Sequence, residues 1–248
     1  MVFFLVIMRM AGLISIAPVF GRRDFFMLGK VAFIFWSSTV LFFAIPITQD
    51  LPTSGVAYIS AMIMEFFVGF MIGFLTNIFL YGIEYAGQLM DIQSGLSVAS
   101  LLDPATGHNM TIFARLMQFT ALVLFLVLDG HHMVLSALFQ SYKLLPLGMP
   151  IDFAEGALYI VKLGTYLFSL AVQLSAPILL IVFLIDFCFG MLNKVADNVN
   201  VFQLGFQIKP SVTMLVLFII TPSLTSTIYI ILEKITNYVL RLFLALQV

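Results

Sequence analysis

Two adjacent histidines, His131 and His132, follow Asp129 in the stretch LDGHHMVL, and imidazole and carboxylate groups are ligands for transition metals. A zinc protease places its two histidines one helical turn apart, with a glutamate between them. Adjacent residues on a helix point about 100° apart, so these two histidines are poorly placed to share one metal. His108 stands alone in the sequence. We therefore predict no metal site and no cofactor.

The sequence also lacks the patterns of the common catalytic sites. No glycine-rich phosphate loop follows a strand, no G-x-S-x-G element occurs, and no pair of carboxylates flanks a plausible sugar site. These absences predict a protein that is not an enzyme and that binds no nucleotide.

Three charged residues lie inside long apolar stretches: Glu65 in MIMEFFVGF, Arg115 in TIFARLMQF and Asp186 in LIVFLIDFC. A charge at the centre of a bilayer costs at least ~2.5 kcal/mol, so each needs a partner, water or a place outside the hydrocarbon. One hypothesis is a proton or ion relay that uses Asp186 or Glu65. The other is polar contact between helices or subunits, which we favour because no two of these residues have the spacing of helical neighbours.

The composition indicates that the apolar segments containing these charged residues lie in a membrane. Of the 248 residues, 62% are hydrophobic and 9% are charged, whereas soluble domains are about 45–50% apolar and about 25% charged. The net charge of −1 gives no sign of a nucleic-acid partner. Strand alternation is absent, and leucine, methionine, phenylalanine and alanine dominate, so the predicted class is an all-α integral membrane protein.

The apolar blocks predict the helices. Some blocks are too long for one crossing, which takes about 20 residues, so they extend beyond the bilayer or bend back as hairpins. Pro177 is the natural bend in one of them. Arg9 interrupts the N-terminal block, which we therefore interpret as a retained helix rather than a signal peptide. Within a single domain of residues 1–248, the predicted helical segments are about 1–20, 25–48, 55–93, 110–142, 153–196 and 210–246.

In a chain of independent membrane spans, loops rich in lysine and arginine alternate with loops that have few of them. The loops of this chain do not follow that pattern. The first connection, near residues 22–30, is basic and is predicted to be cytoplasmic. Simple alternation would make the connection near residues 84–109 cytoplasmic too, yet that connection carries Glu84, Asp91 and Asp103 and no lysine or arginine. We infer that the helices pack against partner subunits, with part of the chain raised out of the lipid.

Gly69 and Gly73 form a G-x-x-x-G pattern in EFFVGFMIGFL. Because glycine has no side chain, this pattern allows a second helix to approach closely. Helix packing is the favoured interpretation, and a substrate path is the alternative.

The stretch SGLSVASLLDPATGHNM, residues 94–110, separates two apolar blocks and consists largely of small residues with little helix preference. Gly95 and Gly107 accept backbone angles denied to other residues, and Asp103 with Pro104 can start a helical turn. Connections between helices in bundles usually take about 2–8 residues, so this one is long. The residues alone leave two alternatives open, a plain turn between helices and a functional loop.

Three stretches resemble one family in order and spacing. Residues 86–148, AGQLMDIQSGLSVASLLDPATGHNMTIFARLMQFTALVLFLVLDGHHMVLSALFQSYKLLPLG, are similar to the central signature of the FliR family, a component of the flagellar type III protein export gate. SIAPVFGRRDFFMLGKVAFIF resembles its early segment, and FGMLNKVADNVNVFQLGFQIKP resembles its late one. In the late segment Lys194, Asp197 and Gln207 replace the family's usual arginine and two prolines, which weakens residue-level expectations there.

The resemblance implies an architecture and partners. Family members assemble with the FliP and FliQ proteins into a gate onto which FlhB docks, and unfolded flagellar proteins cross its centre. The implied fold is a set of long helical hairpins packed in a hetero-oligomeric gate in the bacterial inner membrane, at the flagellar basal body, rather than independent bilayer spans. Injectisome relatives of the SctT type share the DPATG element, so the equivalent virulence gate subunit is an alternative function. A small-solute secondary transporter is a further one.

The resemblance also implies that the loop after the Q-x-G-L-S element lies in the pore and plugs it. The plug residues are Ser94, Gly95, Leu96, Ser97, Val98, Ala99, Ser100, Leu101, Leu102, Asp103, Pro104, Gly107, Asn109 and Met110. Buried polar or helix-packing roles are predicted for Glu65, Gly69, Gly73, Arg115 and Asp186.

Overall fold

The computed structural model describes residues 1–18, 20–21, 26–45, 54–97, 111–148, 153–195 and 200–246. Helices account for 91% of these residues, and no strand occurs among them. The prediction of an all-α membrane protein is therefore confirmed.

Eight helices of at least 12 residues lie in the described part of the chain. They are α1 (Val2–Ile16), α2 (Met27–Ala44), α3 (Gly55–Ser94), α4 (Ile112–Val127), α5 (Gly130–Leu144), α6 (Phe153–Val195), α7 (Val201–Glu233) and α8 (Ile235–Leu246).

Within the described ranges, four helical stretches are long and apolar enough to cross a membrane, and a fifth is obtained if α4 and α5 are taken as one broken span. The four are Met27–Ala44, Gly55–Ser94, Leu158–Val195 and Gln203–Leu246. With 43 residues, α6 is about 65 Å long, roughly twice the thickness of the hydrocarbon layer of about 30 Å.

Two helix boundaries differ from the sequence-based expectation. The segment predicted as one helix from about 110 to 142 is divided after Val127, and Asp129 adopts the left-handed conformation with φ of 54°. This conformation ends a right-handed helix, and aspartate tolerates it better than most residues. The helix predicted from about residue 210 already begins at Val201, and Pro210 lies inside it.

Pro177 does not turn the chain back on itself. It lies inside α6, which runs as one helix from Phe153 to Val195, so the interpretation of this residue as a hairpin bend was wrong. Proline removes one hydrogen bond from the helix ladder, a defect that membrane helices tolerate when neighbouring groups satisfy the freed carbonyl.

The chain forms two compact units. The first comprises Met1–Phe79, Phe125–Gly164 and Ile231–Val248, and the second comprises Leu80–Leu124 and Thr165–Ile230. In the first, α1 packs against α2, and α5 packs against α8. Its core includes Leu5, Met10, Leu13, Ile72, Leu75, Leu138 and Phe243. The core of the second includes Ile83, Met90, Phe113, Met117, Ala171, Ile178 and Val182.

Small residues allow α1 to lie against α3 in the first unit. A methyl group on Gly69 would collide with the carbonyl oxygen of Arg9, and one on Gly73 would lie 2.8 Å from the carbonyl oxygen of Leu13. A methyl group on Gly12 would likewise lie 2.8 Å from the backbone nitrogen of Phe70. The G-x-x-x-G pattern of α3 therefore faces the backbone of α1, as expected for helix packing.

Candidate functional site

The predicted plug is only partly within the described residues. Ser94 ends α3, and Gly95, Leu96 and Ser97 follow it. The remaining predicted plug residues lie outside the described part of the chain: Val98, Ala99, Ser100, Leu101, Leu102, Asp103, Pro104, Gly107, Asn109 and Met110. The candidate site is therefore built from the residues at the two ends of this segment.

A single carboxylate, that of Asp91, joins the last turn of α3 to the first turn of α4. Its Oδ1 accepts a hydrogen bond from the backbone N–H of Phe113 at 3.1 Å, and its Oδ2 accepts one from the N–H of Ala114 at 2.8 Å. The hydroxyl of Thr111 donates to Oδ2 as well. Asp91 is 1% exposed, so these three donors replace the water that a free carboxylate would bind.

The three bonds act as a helix cap that comes from a distant part of the sequence. The first N–H groups of a helix have no partner within the helix, and a negative charge near them is favoured by the helix dipole. Here that charge belongs to Asp91, more than 20 positions before the helix it caps. These hydrogen bonds therefore hold the end of α3 and the start of α4 together.

Further along, α3 and α4 pack closely as an antiparallel pair. A methyl group on Gly87 would lie 2.6 Å from the Cα of Ala114, so the two backbones are in contact. The Gln118 amide donates to Glu84 Oε2 at 3.0 Å, and Gln88 donates to Glu84 Oε1 at 3.3 Å. The hairpin formed by α3 and α4 thus has polar contacts at two positions along α3, Glu84 and Asp91.

Gly95 marks the start of the segment. Its φ of 85° lies in the left-handed region that glycine favours, and its N–H donates to the carbonyl oxygen of Ile92 at 3.2 Å, which closes the end of α3. A Cβ at this position would lie 3.2 Å from the ring of Phe206. Both the backbone angle and the ring therefore disfavour a larger residue.

A cleft of about 430 Å³ opens beside Gly95. Asp186 and Lys209 form an ion pair on its lining, which also includes Asn193 and Phe206. Asp186 was predicted to have a buried polar or helix-packing role, and 40% of its side chain is exposed. It lies next to the cleft rather than within the core, and Lys209 supplies the opposite charge.

Glu65 has its partner within the chain. Its Oε2 accepts a hydrogen bond from Arg9 Nε at 2.5 Å, and its Oε1 accepts one from the N–H of Gly148 at 3.0 Å. The Arg9 guanidinium also donates to Ser141 Oγ and to the carbonyl oxygen of Leu145, both at 3.0 Å. Glu65 and Arg9 are 3% and 1% exposed, so this is a buried, hydrogen-bonded pair that joins α1, α3 and α5.

Arg115 is exposed on α4 in the single chain, so its predicted buried polar or helix-packing role stays a prediction. It lines an apolar groove of about 690 Å³ with Ile112, Leu116 and Phe119. Among the described residues its guanidinium has no ion-pair or hydrogen-bond partner. An unpaired cation on an apolar helix face indicates that Arg115 is not part of the core of this chain.

The two histidines lie closer together than expected from adjacent helix positions. Their ring centroids are 4.2 Å apart, and the potential ligand atoms of Asp129, His131 and His132 all lie within 4.8 Å of one another. His132 Nδ1 is 3.3 Å from Asp129 Oδ1. These potential ligand atoms are close enough to share one metal ion, so the expectation that adjacent histidines are poorly placed to do so was wrong. Asp129 forms no side-chain capping hydrogen bond with α5, so its contact with His132 is between the two side chains.

Sequence reasoning missed the partners of the charged residues. Arg9 was noted only as an interruption of an apolar block, Asp91 only as a loop charge, and Lys209 only as the edge of an uncharged stretch. One signal was present: in a membrane helix an ionisable residue requires a partner of opposite charge, and Arg9 and Glu65 are isolated charges in neighbouring apolar helices.

Comparison with known proteins gives the family. Residues 1–235 match the family described as bacterial export proteins, family 1. The chain is 30% identical to the flagellar biosynthetic protein FliR of Pectobacterium carotovorum over 176 residues, which cover 71% of this chain and 67% of that protein. It is 26% identical to the protein of the same name from Buchnera aphidicola subsp. Baizongia pistaciae over 235 residues, 95% and 91% of the two chains.

A shorter similarity extends to a protein of a secretion system apparatus. The chain is 27% identical to the secretion system apparatus protein SsaT of Salmonella typhimurium over 114 residues, which cover 46% of this chain and 44% of that protein. The similarity to the flagellar proteins is thus longer. Because the family match spans nearly the whole sequence, the chain belongs to the bacterial export proteins, family 1.

Proposed function

We propose that the chain is a core subunit of the flagellar type III protein export gate, where it helps to form and plug the pore through which unfolded flagellar proteins leave the cytoplasm. The observation that carries this proposal is the near-full-length similarity to a flagellar biosynthetic protein FliR, over 95% of this chain and 91% of that one. The helices of membrane-crossing length agree with it. This role requires no catalytic site.

The equivalent subunit of a virulence injectisome is the second candidate. Its support is the similarity to SsaT, which covers less than half of each chain. The longer similarity to flagellar proteins favours the flagellar role.

The proposed location is the bacterial inner membrane, within the flagellar basal body, and the proposed partners are FliP and FliQ in the gate and FlhB docked on it. Exposed apolar surface supports a chain covered by lipid and other subunits. Ser38 is the one buried residue of α2, while Trp36 is 72% and Phe43 83% exposed. So large an exposed apolar face is unfavourable in water and indicates contact with lipid or with other subunits.

The plug proposal rests on the family resemblance of residues 94–110. Small side chains bury little apolar surface, so a segment made of them would move aside at low cost. Val98, Leu101 and Leu102 would supply dry contacts, since apolar constrictions block water and ions. Gly95 and Gly107 would serve as hinges.

Co-expression tests the assembly. We expect the chain to be soluble in detergent and monodisperse when it is produced with FliP-like and FliQ-like partners, and to aggregate when it is produced alone. Size-exclusion chromatography measures both states. A stable monomer or homodimer without partners would contradict the gate role and favour a secondary transporter.

Replacement of Asp186 by asparagine tests proton coupling at this residue. We expect Asp186→Asn to keep export at nearly the wild-type rate, because a partly exposed ion pair contributes at most about 1 kcal/mol. Secretion of a flagellar substrate into the medium is the measurement, and Asp186→Glu is the charge-preserving control. Loss of export with normal assembly in Asp186→Asn alone would instead assign a proton-coupled role to this carboxylate.

A further inference from the structure

We propose that Asp129, His131 and His132 form a binding site for a divalent transition-metal ion of the zinc type. The three residues lie at the break between α4 and α5, within one of the two compact units. None of them has a part in the export role proposed above, so the inference goes beyond that role and does not depend on it.

One carboxylate oxygen faces both imidazoles. Asp129 Oδ1 lies 3.3 Å from His132 Nδ1 and 3.9 Å from His131 Nε2, and one potential ligand atom from each residue lies within 4.8 Å of the others. Zinc binds nitrogen and oxygen ligands at about 2.0–2.2 Å, so two ligand atoms of a tetrahedral site are about 3.3–3.6 Å apart. The first distance already has this value and the second exceeds it by a few tenths of an ångström, so a small side-chain rotation brings the three ligand atoms onto one ion.

The side chain of Asp129 does not act as the helix cap that its position favours. An aspartate directly before a helix usually accepts a hydrogen bond from a backbone N–H of the first turn. Asp129 directly precedes α5 but forms no such side-chain hydrogen bond, and its side chain is 72% exposed. Its Oδ1 is directed at the two imidazoles instead, which leaves this oxygen available to a cation.

The imidazole of His131 is held in place by the fold. It lines a small apolar cavity with Leu13, Ile14 and Phe125. Its Nδ1 is buried and has no hydrogen-bond partner among the described residues, so Nε2 is the nitrogen that can reach an ion. Because this ring is already packed on one side, it loses little conformational freedom when it binds.

The ligand types select the class of ion. Imidazole nitrogen suits zinc, copper and nickel, whereas magnesium and calcium take mainly oxygen ligands. Three protein ligands leave the fourth position of a tetrahedral ion to water. The side chains of Asp129 and His132 are 72% and 70% exposed, so water can reach that position. The site is therefore predicted to bind Zn²⁺ or a transition-metal ion with the same preferences.

Titration with Zn²⁺ tests the site. The detergent-solubilised full-length chain, with any partners that co-purify, is stripped of metal by a chelator and then titrated. We expect one equivalent of Zn²⁺ per chain to bind at least about tenfold more weakly in His132→Gln and in Asp129→Asn, because loss of an outer-shell partner alone costs about 10–100-fold in affinity. Asparagine tolerates the left-handed conformation as aspartate does, so Asp129→Asn removes the ligand charge and keeps the backbone.

The control is the third histidine of the chain, His108, which lies outside the described residues. We expect His108→Gln to bind Zn²⁺ as the wild type does. The substituted side chains of Asp129 and His132 are mostly exposed, so normal yields of both variants are expected. If one of these variants fails to fold, the other decides by the same criterion.

Co²⁺ tests whether the three side chains bind the same ion. Tetrahedral Co²⁺ absorbs visible light far more strongly than the hydrated octahedral ion, so its spectrum reports the geometry of the ligands. We expect a visible absorption band that Zn²⁺ displaces and that is lost in His131→Gln and in His132→Gln. A wild-type chain that binds no Zn²⁺, equal binding by the wild type and either His132→Gln or Asp129→Asn, or binding that His108→Gln abolishes would each overturn the proposal.

Discussion

Deletion of about half of the residues between Ser97 and Thr106 is expected to raise the ion leak of the assembled gate on the order of tenfold. The shortened segment would lose some of the apolar residues Val98, Leu101 and Leu102, which we propose as the dry contacts of the plug. It would also have a shorter reach, since an extended residue spans at most about 3.6 Å. Conductance across the inner membrane of cells that carry the gate is the measurement.

The control for this deletion is replacement of the same residues by an equal number of alternating serine and valine residues, which keeps length and partial apolar character. We expect that variant to leak less than the deletion. The amount of gate is determined by co-purification, so that leak is compared per assembled complex. Unchanged conductance in an assembled deletion variant would contradict the proposed plug role of this segment.

Replacement of Glu65 by alanine is expected to destabilise the folded chain by about 3–5 kcal/mol, because Arg9 would remain buried without its counter-charge. The N–H of Gly148, which now donates to Glu65 Oε1, would lose its acceptor too. We expect a sharply reduced yield of the chain in the co-purified complex and a lower melting temperature in detergent.

Two comparisons make this test specific. Arg115→Ala, at an exposed arginine, is expected to leave the melting temperature of the chain nearly unchanged. The double variant Arg9→Met with Glu65→Met is expected to recover part of the lost stability, because a buried ion pair is often replaced by apolar residues at little cost. A Glu65→Ala chain as stable as Arg115→Ala would contradict the structural role of the pair.

The buried pair also bears on the relay hypothesis. Glu65 contacts Arg9 and Gly148, and Asp186 contacts Lys209, so each acid has a partner within the same compact unit. The contacts support polar packing between helices as the role of these charges.

Composition and charge spacing predicted the long elements well. The block from residue 55 was expected to end near 93, and α3 runs from Gly55 to Ser94. Gly95 after it has the left-handed backbone typical of a residue that follows a helix. Here the apolar pattern and the glycine that follows it indicate the same helix end, so the sequence alone is enough to predict this boundary.

Other features depend on contacts between distant residues, and no local pattern predicts them. Arg9 and Glu65 are 56 positions apart, and Asp91 and Ala114 are 23 apart. The start of α7 at Val201 was missed because the long apolar block begins only after Lys209, although the helix already runs through this residue. The break at Asp129 was missed because apolar residues lie on both sides of it.

The most direct test of the account is a structure of the chain co-purified with its FliP-like and FliQ-like partners, showing the position of residues 94–110. We predict that this segment lies inside the central pore and that Asp91 contacts Thr111, Phe113 and Ala114 at its base. A segment on the outer face of the assembly, against lipid or another subunit and away from the pore, would contradict it.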